Sequence, residues 1–233
     1  MIKFANDYLN RQIVIMLHNN INNIVKDDLN QVNSVSISKM NYNTQRMEYS
    51  LNELTILPNL QNLIIYDSLI NIDDINLLNN LNKIESITFN HCYFLENVKV
   101  IILKKLKNVS FNECHINFDN IDFNTLVSIE SISITNPSFY KQIDLKKFND
   151  LKFLMRLDLE NCVPLNLNQL VHNENLEVIS LLGSDVDNID FINRMPKLKK
   201  VFIDKRIYTE LLMENPSVDI YSDKTSETFS KEI

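Results

Sequence analysis

Three sets of residues in this 233-residue chain have types and spacings that suit chemistry. Asp158 and Glu160 stand two residues apart, with Arg156 two before them, so on a strand all three would share one face. Paired carboxylates on one face are what acid–base hydrolysis needs, although an open sheet would desolvate neither. The four histidines, His18, His91, His115 and His172, show neither HExxH nor HxH spacing. His91 and His115 are the two that successive repeats would bring to equivalent edges; they are read as solvated edge residues, with a two-histidine metal site as the alternative, and no metal is expected. The three cysteines, Cys92, Cys114 and Cys162, form no CxxC, and an odd number speaks against both a disulfide framework and a tetrathiolate zinc site. No Ser-His-Asp or Cys-His arrangement is legible.

Composition narrows the chemistry further. The chain has one Gly, five Pro and no Trp, against 35 Asn and 30 Leu. GxGxxG, GxxxxGK[ST] and GxSxG all need several glycines, so nucleotide cradles and nucleophile elbows are excluded and no cofactor is expected. A net charge of -7 and a pI near 5.1 give no electrostatic reason to bind nucleic acid or an anionic membrane. The apolar run Ile13 to Leu17 is too short for a secretory signal, and no stretch approaches the roughly 18 apolar residues of a membrane span. A cytoplasmic, monomeric protein with one domain is therefore expected.

What positions these residues is a repeat. The apolar pattern LxxLxLxx(N/C)xL recurs eight times, with first residues Val32, Leu60, Ile84, Leu106, Ile129, Leu154, Leu176 and Leu198 at spacings of 28, 24, 22, 23, 25, 22 and 22. Each unit reads as a short strand whose alternate residues point inward, then a bend that buries one more residue, then a return segment. One unit cannot bury its own face, so the units must stack. All three cysteines fall at the N/C position, where a side chain has to bond to neighbouring backbone or pack as a small hydrophobe; Cys92, Cys114 and Cys162 are read as buried structural-ladder thiols.

Period two then fixes the outward residues. They are rows of Ser, Thr and Asn in the middle of the sheet, with a richer patch on either side. Ile64 and Tyr66, with His91 and Tyr93 on the adjacent edge, make the first. Arg156, Asp158, Glu160, Leu182 and Phe202 make the second. These nine residues are the candidate partner-binding set, since interface energy concentrates in aromatic and Arg side chains.

The repeat resembles the leucine-rich repeat family, and its short 22-residue units resemble the internalin-like bacterial subclass. Ser184 to Leu198 is the best match to that family's loop, and Ile70 to Leu78 is a longer relative. The chain departs from the family pattern in carrying Ser or Cys rather than Asn at most ladder positions, and in an insertion near Asn43 to Asn52. The resemblance implies an α/β leucine-rich repeat solenoid: a curved parallel sheet with short helices or 3-10 turns on the convex side. It also implies protein ligands, in a role such as adaptor, host-directed binder or toxin-neutralising immunity protein. A metal-dependent enzyme using Asp158, Glu160 and the edge histidines is the alternative of another class.

The expected organisation is a helical N-terminal cap over 1–31, repeats over 32–207, a C-terminal cap over 208–221 and a polar, disordered tail over 222–233. Within the first cap, Phe4, Leu9, Ile13, Met16 and Leu17 recur near helical spacing after Asn6 or Asp7 as N-cap, and Asp27 is a second candidate cap. In the second, a short helix over Tyr208–Glu214 is broken at Asn215-Pro216-Ser217, and Val218–Tyr221 closes the stack as a strand.

Overall fold

Alternating burial drives the architecture. In Asn108–Asn112, for example, Val109 and Phe111 are buried while the residues between them face out. The computed structural model describes residues 2, 4–17, 24–41, 43, 45–47, 49–95, 105–138, 141–186, 188–204 and 218–222. Within them, nine strands form one sheet: β1 (Ser34–Ile37), β2 (Asn62–Tyr66), β3 (Ser86–Asn90), β4 (Asn108–Asn112), β5 (Ser131–Thr135), β6 (Arg156–Glu160), β7 (Val178–Ser180), β8 (Lys200–Ile203) and β9 (Asp219–Ser222). They lie in sequence order and every neighbouring pair is parallel. Equivalent positions of successive repeats are in register, as Leu63, Ile87 and Val109 show. A sheet of this order needs a return segment after each strand, and among the described residues these returns are one helix and several 3-10 turns. The helix is α2 (Ile72–Asn79), and 3-10 turns follow at Phe118–Asn120, Phe123–Thr125, Leu145–Phe148, Leu167–His172 and Asp190–Arg194.

Between sheet and returns runs one continuous apolar core. Phe89 stacks on Phe111 with centroids 5.4 Å apart, and Phe123 meets Phe148 edge-on at 4.6 Å. Aromatic contacts of this kind add to the burial of each ring. α2 begins with a capping box in which the Asn71 and Asp74 side chains each accept the other's backbone N–H. Lys39, just past β1, reaches the Asp74 carboxylate at 2.7 Å and ties the first repeat to the second.

The N-terminal helix α1 (Asp7–Met16) closes the open side of β1. A first strand leaves a row of unpaired N–H and C=O groups, and Gln12 pairs with it as a neighbouring strand would. Its Nε2 donates to the Ser36 carbonyl at 2.6 Å, and its Oε1 accepts the Ser36 N–H at 2.9 Å. Asn6 caps the helix by accepting from the N–H groups of Tyr8 and Leu9, and its Nδ2 donates to the Ser38 carbonyl at 2.7 Å. Glu53, from the turn before β2, accepts the N–H groups of Ala5 and Asn6.

Asp27 makes no cap bond. Its backbone is helical rather than extended, and it is Asp28 that accepts the Val25 N–H. The insertion in the first interval contains an antiparallel pairing of Met40–Asn41 with Arg46–Met47. Ser222, expected to open the disordered tail over 222–233, is the last residue of β9, paired with Ile203. Arg206 and Tyr208 of the eighth repeat, the helix expected over 208–214, its break at 215–217 and the rest of the tail lie outside the described residues.

Candidate functional site

The cysteine position builds the inner wall of the sheet's far edge. Cys92, Cys114 and Cys162 are each 1% exposed. Each thiol lies 3.4 Å from two carbonyl oxygens, one in its own repeat and one in the repeat before: Asn90 and Ile65 for Cys92, Asn112 and Phe89 for Cys114, Glu160 and Ile134 for Cys162. Ser184 occupies the same position and does the same with a hydroxyl, donating to the Leu159 carbonyl at 2.6 Å and accepting the Cys162 N–H at 3.0 Å. Burial, with the Glu160 charge second, pushes the Cys162 thiol up to about 12. Cys92 is also pushed up, first by its hydrogen-bonding neighbour Cys114 and then by burial. Protonated, enclosed thiols such as Cys92 and Cys162 are poor nucleophiles and poor metal ligands, and Cys114, which its hydrogen-bonding neighbour Cys92 shifts downward, is as fully enclosed.

One position earlier, each repeat turns out of the sheet through a left-handed residue. Asp67, His91, Glu113, Asn136, Asn161 and Gly183 occupy equivalent positions in six successive repeats, with φ between 45° and 66°. The N–H groups of the first five donate to the next strand at 2.8 to 3.0 Å, extending the ladder past the strand ends. Side chains link the column as well. His91 lies 3.7 Å from Asp67 through Nδ1 and 3.1 Å from Glu113 through Nε2, and Asn161 donates to Asn136 at 2.6 Å. Gly183 is the one glycine of the chain for a visible reason: a Cβ there would stand 2.0 Å from Asn161 Oδ1.

The outward face carries the two patches. On the first, Ile64 is exposed in the middle of β2, and Tyr66 at its end meets Tyr8 of α1 edge-to-face, centroids 5.5 Å apart at 77°. His91 sits on the edge just described. Tyr93 lies beyond it, in a short parallel pairing of Leu69–Ile70 with Tyr93–Phe94, its ring stacked on His115 at 4.2 Å. The register corrects the expected histidine pair: the equivalent of His91 is Glu113 and that of His115 is Tyr93, so the two histidines occupy different columns. Among the described residues, no group of three His, Cys, Asp or Glu side chains is placed to hold a metal ion.

On the second patch, Arg156, Asp158 and Glu160 share β6. Arg156 Nε donates to Asp158 Oδ2 at 2.9 Å, and Ser180 of β7 donates to Glu160 at 3.0 Å. Asp158 is more enclosed than an open sheet suggests. Its side chain is 13% exposed, and its Oδ1 is buried with no hydrogen-bond partner. Leu182 is half-buried just past β7, and Phe202 of β8 stacks on Tyr221 of β9 at 4.9 Å and 19°. Tyr8 and Tyr221 thus join the face without having been picked out by sequence. Period two in Val218–Tyr221 carries a signal for Tyr221, whereas the docking of α1 that brings in Tyr8 leaves none.

Between the patches the floor is bonded to itself. Asn112 donates to Asn90 at 2.7 Å and accepts from Thr135 at 3.0 Å. On the convex side, a hollow of about 470 Å³ is lined by exposed side chains that include Asn166, Asp190 and Arg194. No helix among the described residues is long and apolar enough to cross a membrane.

No protein-family model matches the sequence, and no curated protein matches it either. Solved structures do. The internalin inlF from Listeria monocytogenes superposes with a TM-score of 0.61 at 16% identity, over 86% of this chain and 56% of its own. This chain therefore spans little more than half of that relative. Internalin C2 from the same organism gives 0.55 at 16% identity, over 86% of this chain and 94% of its own. The TLR13-ssRNA13 complex gives 0.53 at 15% identity, over 85% of this chain and 33% of that one. By fold, the protein is a leucine-rich repeat solenoid of the kind seen in the internalins.

Proposed function

We propose that the chain is a non-catalytic protein-binding module that holds its partner on the concave face of the sheet. The observation that carries this reading is the face itself: nine parallel strands whose outward side chains are largely exposed or half-buried, with an aromatic and charged patch on either side of a self-bonded polar floor. Repeats of this kind use such a face for binding. Asp158 and Glu160 are on this reading recognition groups, since Arg156 and Ser180 already engage them. TLR13 was solved with ssRNA13. A net charge of -7 supports a protein rather than a nucleic acid as partner here. Adaptor, host-directed binder and toxin-neutralising immunity protein share this surface and differ in what sits on it.

The test is an affinity capture from lysate with the wild-type chain and a Tyr66→Ala/Arg156→Ala/Phe202→Ala chain side by side. The expected result is a protein retained by the first and lost from the second, at about 2 kcal/mol or more per hot spot. Equal retention by both would move the site to the convex side or the caps.

A further inference from the structure

Building on the concave-face reading, we propose that the partner is basic and presents lysine or arginine side chains at both ends of the face. Both ends have the same chemistry. At one, Tyr8 and Tyr66 form two aromatic walls at 77°, and the column position after Tyr66 is Asp67, linked through His91 to Glu113. At the other, the Phe202–Tyr221 stack lies one strand beyond β7, past which stand Asp158 and Glu160. Aromatic faces attract cations, and carboxylates beside them favour an ammonium or guanidinium over a neutral group.

The charges at hand are unbalanced in the same sense. Among the described residues, the six carboxylates Asp67, Glu113, Asp158, Glu160, Asp204 and Asp219 at these strand and turn positions stand against two cations, Arg156 and Lys200. Arg156 is tied to Asp158 through one oxygen only, and the buried Oδ1 of that carboxylate lacks a donor. A buried acceptor of this kind is costly unless something supplies a hydrogen bond, and a partner's N–H groups would do so. The middle of the face offers less, because Asn90, Asn112 and Thr135 already satisfy one another. A chain of net charge -7 also steers a basic partner toward it before contact.

Geometry adds a spacing. Tyr66 on β2 and Phe202 on β8 are six strands apart in the sheet order. At about 4.8 Å per strand the two ends are about 29 Å apart. A helix of about 19 residues or an extended segment of about 9 spans that distance.

The probe is a phage-displayed library of random 20-residue peptides selected on the immobilised full chain. Enriched peptides are then synthesised and titrated against wild type, Asp158→Asn/Glu160→Gln, Asp67→Asn/Glu113→Gln and Tyr66→Ala/Phe202→Ala, each with its melting curve recorded to show that it folds. Enrichment of Lys or Arg, tenfold or greater weakening by each carboxylate pair, and loss of affinity with rising salt are expected. Failure to enrich any peptide, enrichment without basic residues, or indifference to both carboxylate pairs overturns the basic partner. In the last two cases, loss with the aromatic variant leaves the concave-face reading standing. Peptides that bind all four chains equally overturn that reading as well.

Discussion

Cys114 and Ser184 do one job with different atoms: each reaches the carbonyl two residues before it and backbone of a neighbouring repeat, or that backbone alone, from a fully enclosed site. A hydroxyl in place of the thiol keeps the hydrogen bond, so Cys114→Ser is expected to lower stability by about 1 kcal/mol or less. Cys114→Asp buries an unpaired charge, for an expected loss of about 2 kcal/mol or more in urea unfolding. Equal stability of the two variants would refute the register. Cys162 adds a pH dependence. Its ordinary value is 9.0 and its folded value is about 12, so the unfolded chain ionises first as pH rises. Stability from this thiol is therefore complete below about pH 9 and declines toward pH 12, by up to about 1.4 kcal/mol per pH unit. Cys162→Ser is expected to have a shallower decline over that window, measured by urea unfolding at several pH values. Parallel curves for the two chains would contradict the burial of the thiol. That all three cysteines share one repeat position was legible from spacing alone; which carbonyls they meet was not, because it depends on how far each return segment shifts one repeat against the next.

At the scale of elements, two devices hold the sheet, and both lie outside the apolar pattern. The first is Gln12, whose amide takes the place of a missing strand against Ser36. Gln12→Ala is expected to cost about 1–2 kcal/mol through two lost hydrogen bonds. It also bares the edge of β1, so concentration-dependent association should appear in light scattering. A monomer with an unchanged melting temperature would show that the helix seals the edge by other contacts. The second device is the left-handed column. Its Asp, His, Glu and Asn residues were in plain view two positions after the second inward residue of each strand, and several are types that tolerate this conformation. The scarcity of glycine hides the column, since glycine is the residue that ordinarily marks positive φ in a sequence. Gly183→Ala combines an unfavourable φ of 66° with a clash against Asn161 and should cost about 1–2 kcal/mol. Adding Asn161→Ala should recover the part due to the clash. No recovery in the double variant would assign the whole loss to backbone strain.

For the whole molecule, the inward half of the sheet was written in the sequence as eight copies in register, and the outward half followed by period two. Contacts that join distant segments were not legible. Tyr8 reaches Tyr66 only because α1 docks on β1, and Asp158 is enclosed only because Arg156 folds over it and small serines flank it in register. These contacts turn a row of exposed side chains into two ends with a polar floor between, and the functional reading rests on them. The most direct test places a photo-crosslinking amino acid at Ser110, in the middle of β4, and separately at Lys146, exposed on the convex 3-10 turn Leu145–Phe148. Irradiation of each chain with lysate is expected to give a discrete protein adduct from position 110 and none from 146. An adduct from 146 alone would contradict the concave face as the binding surface.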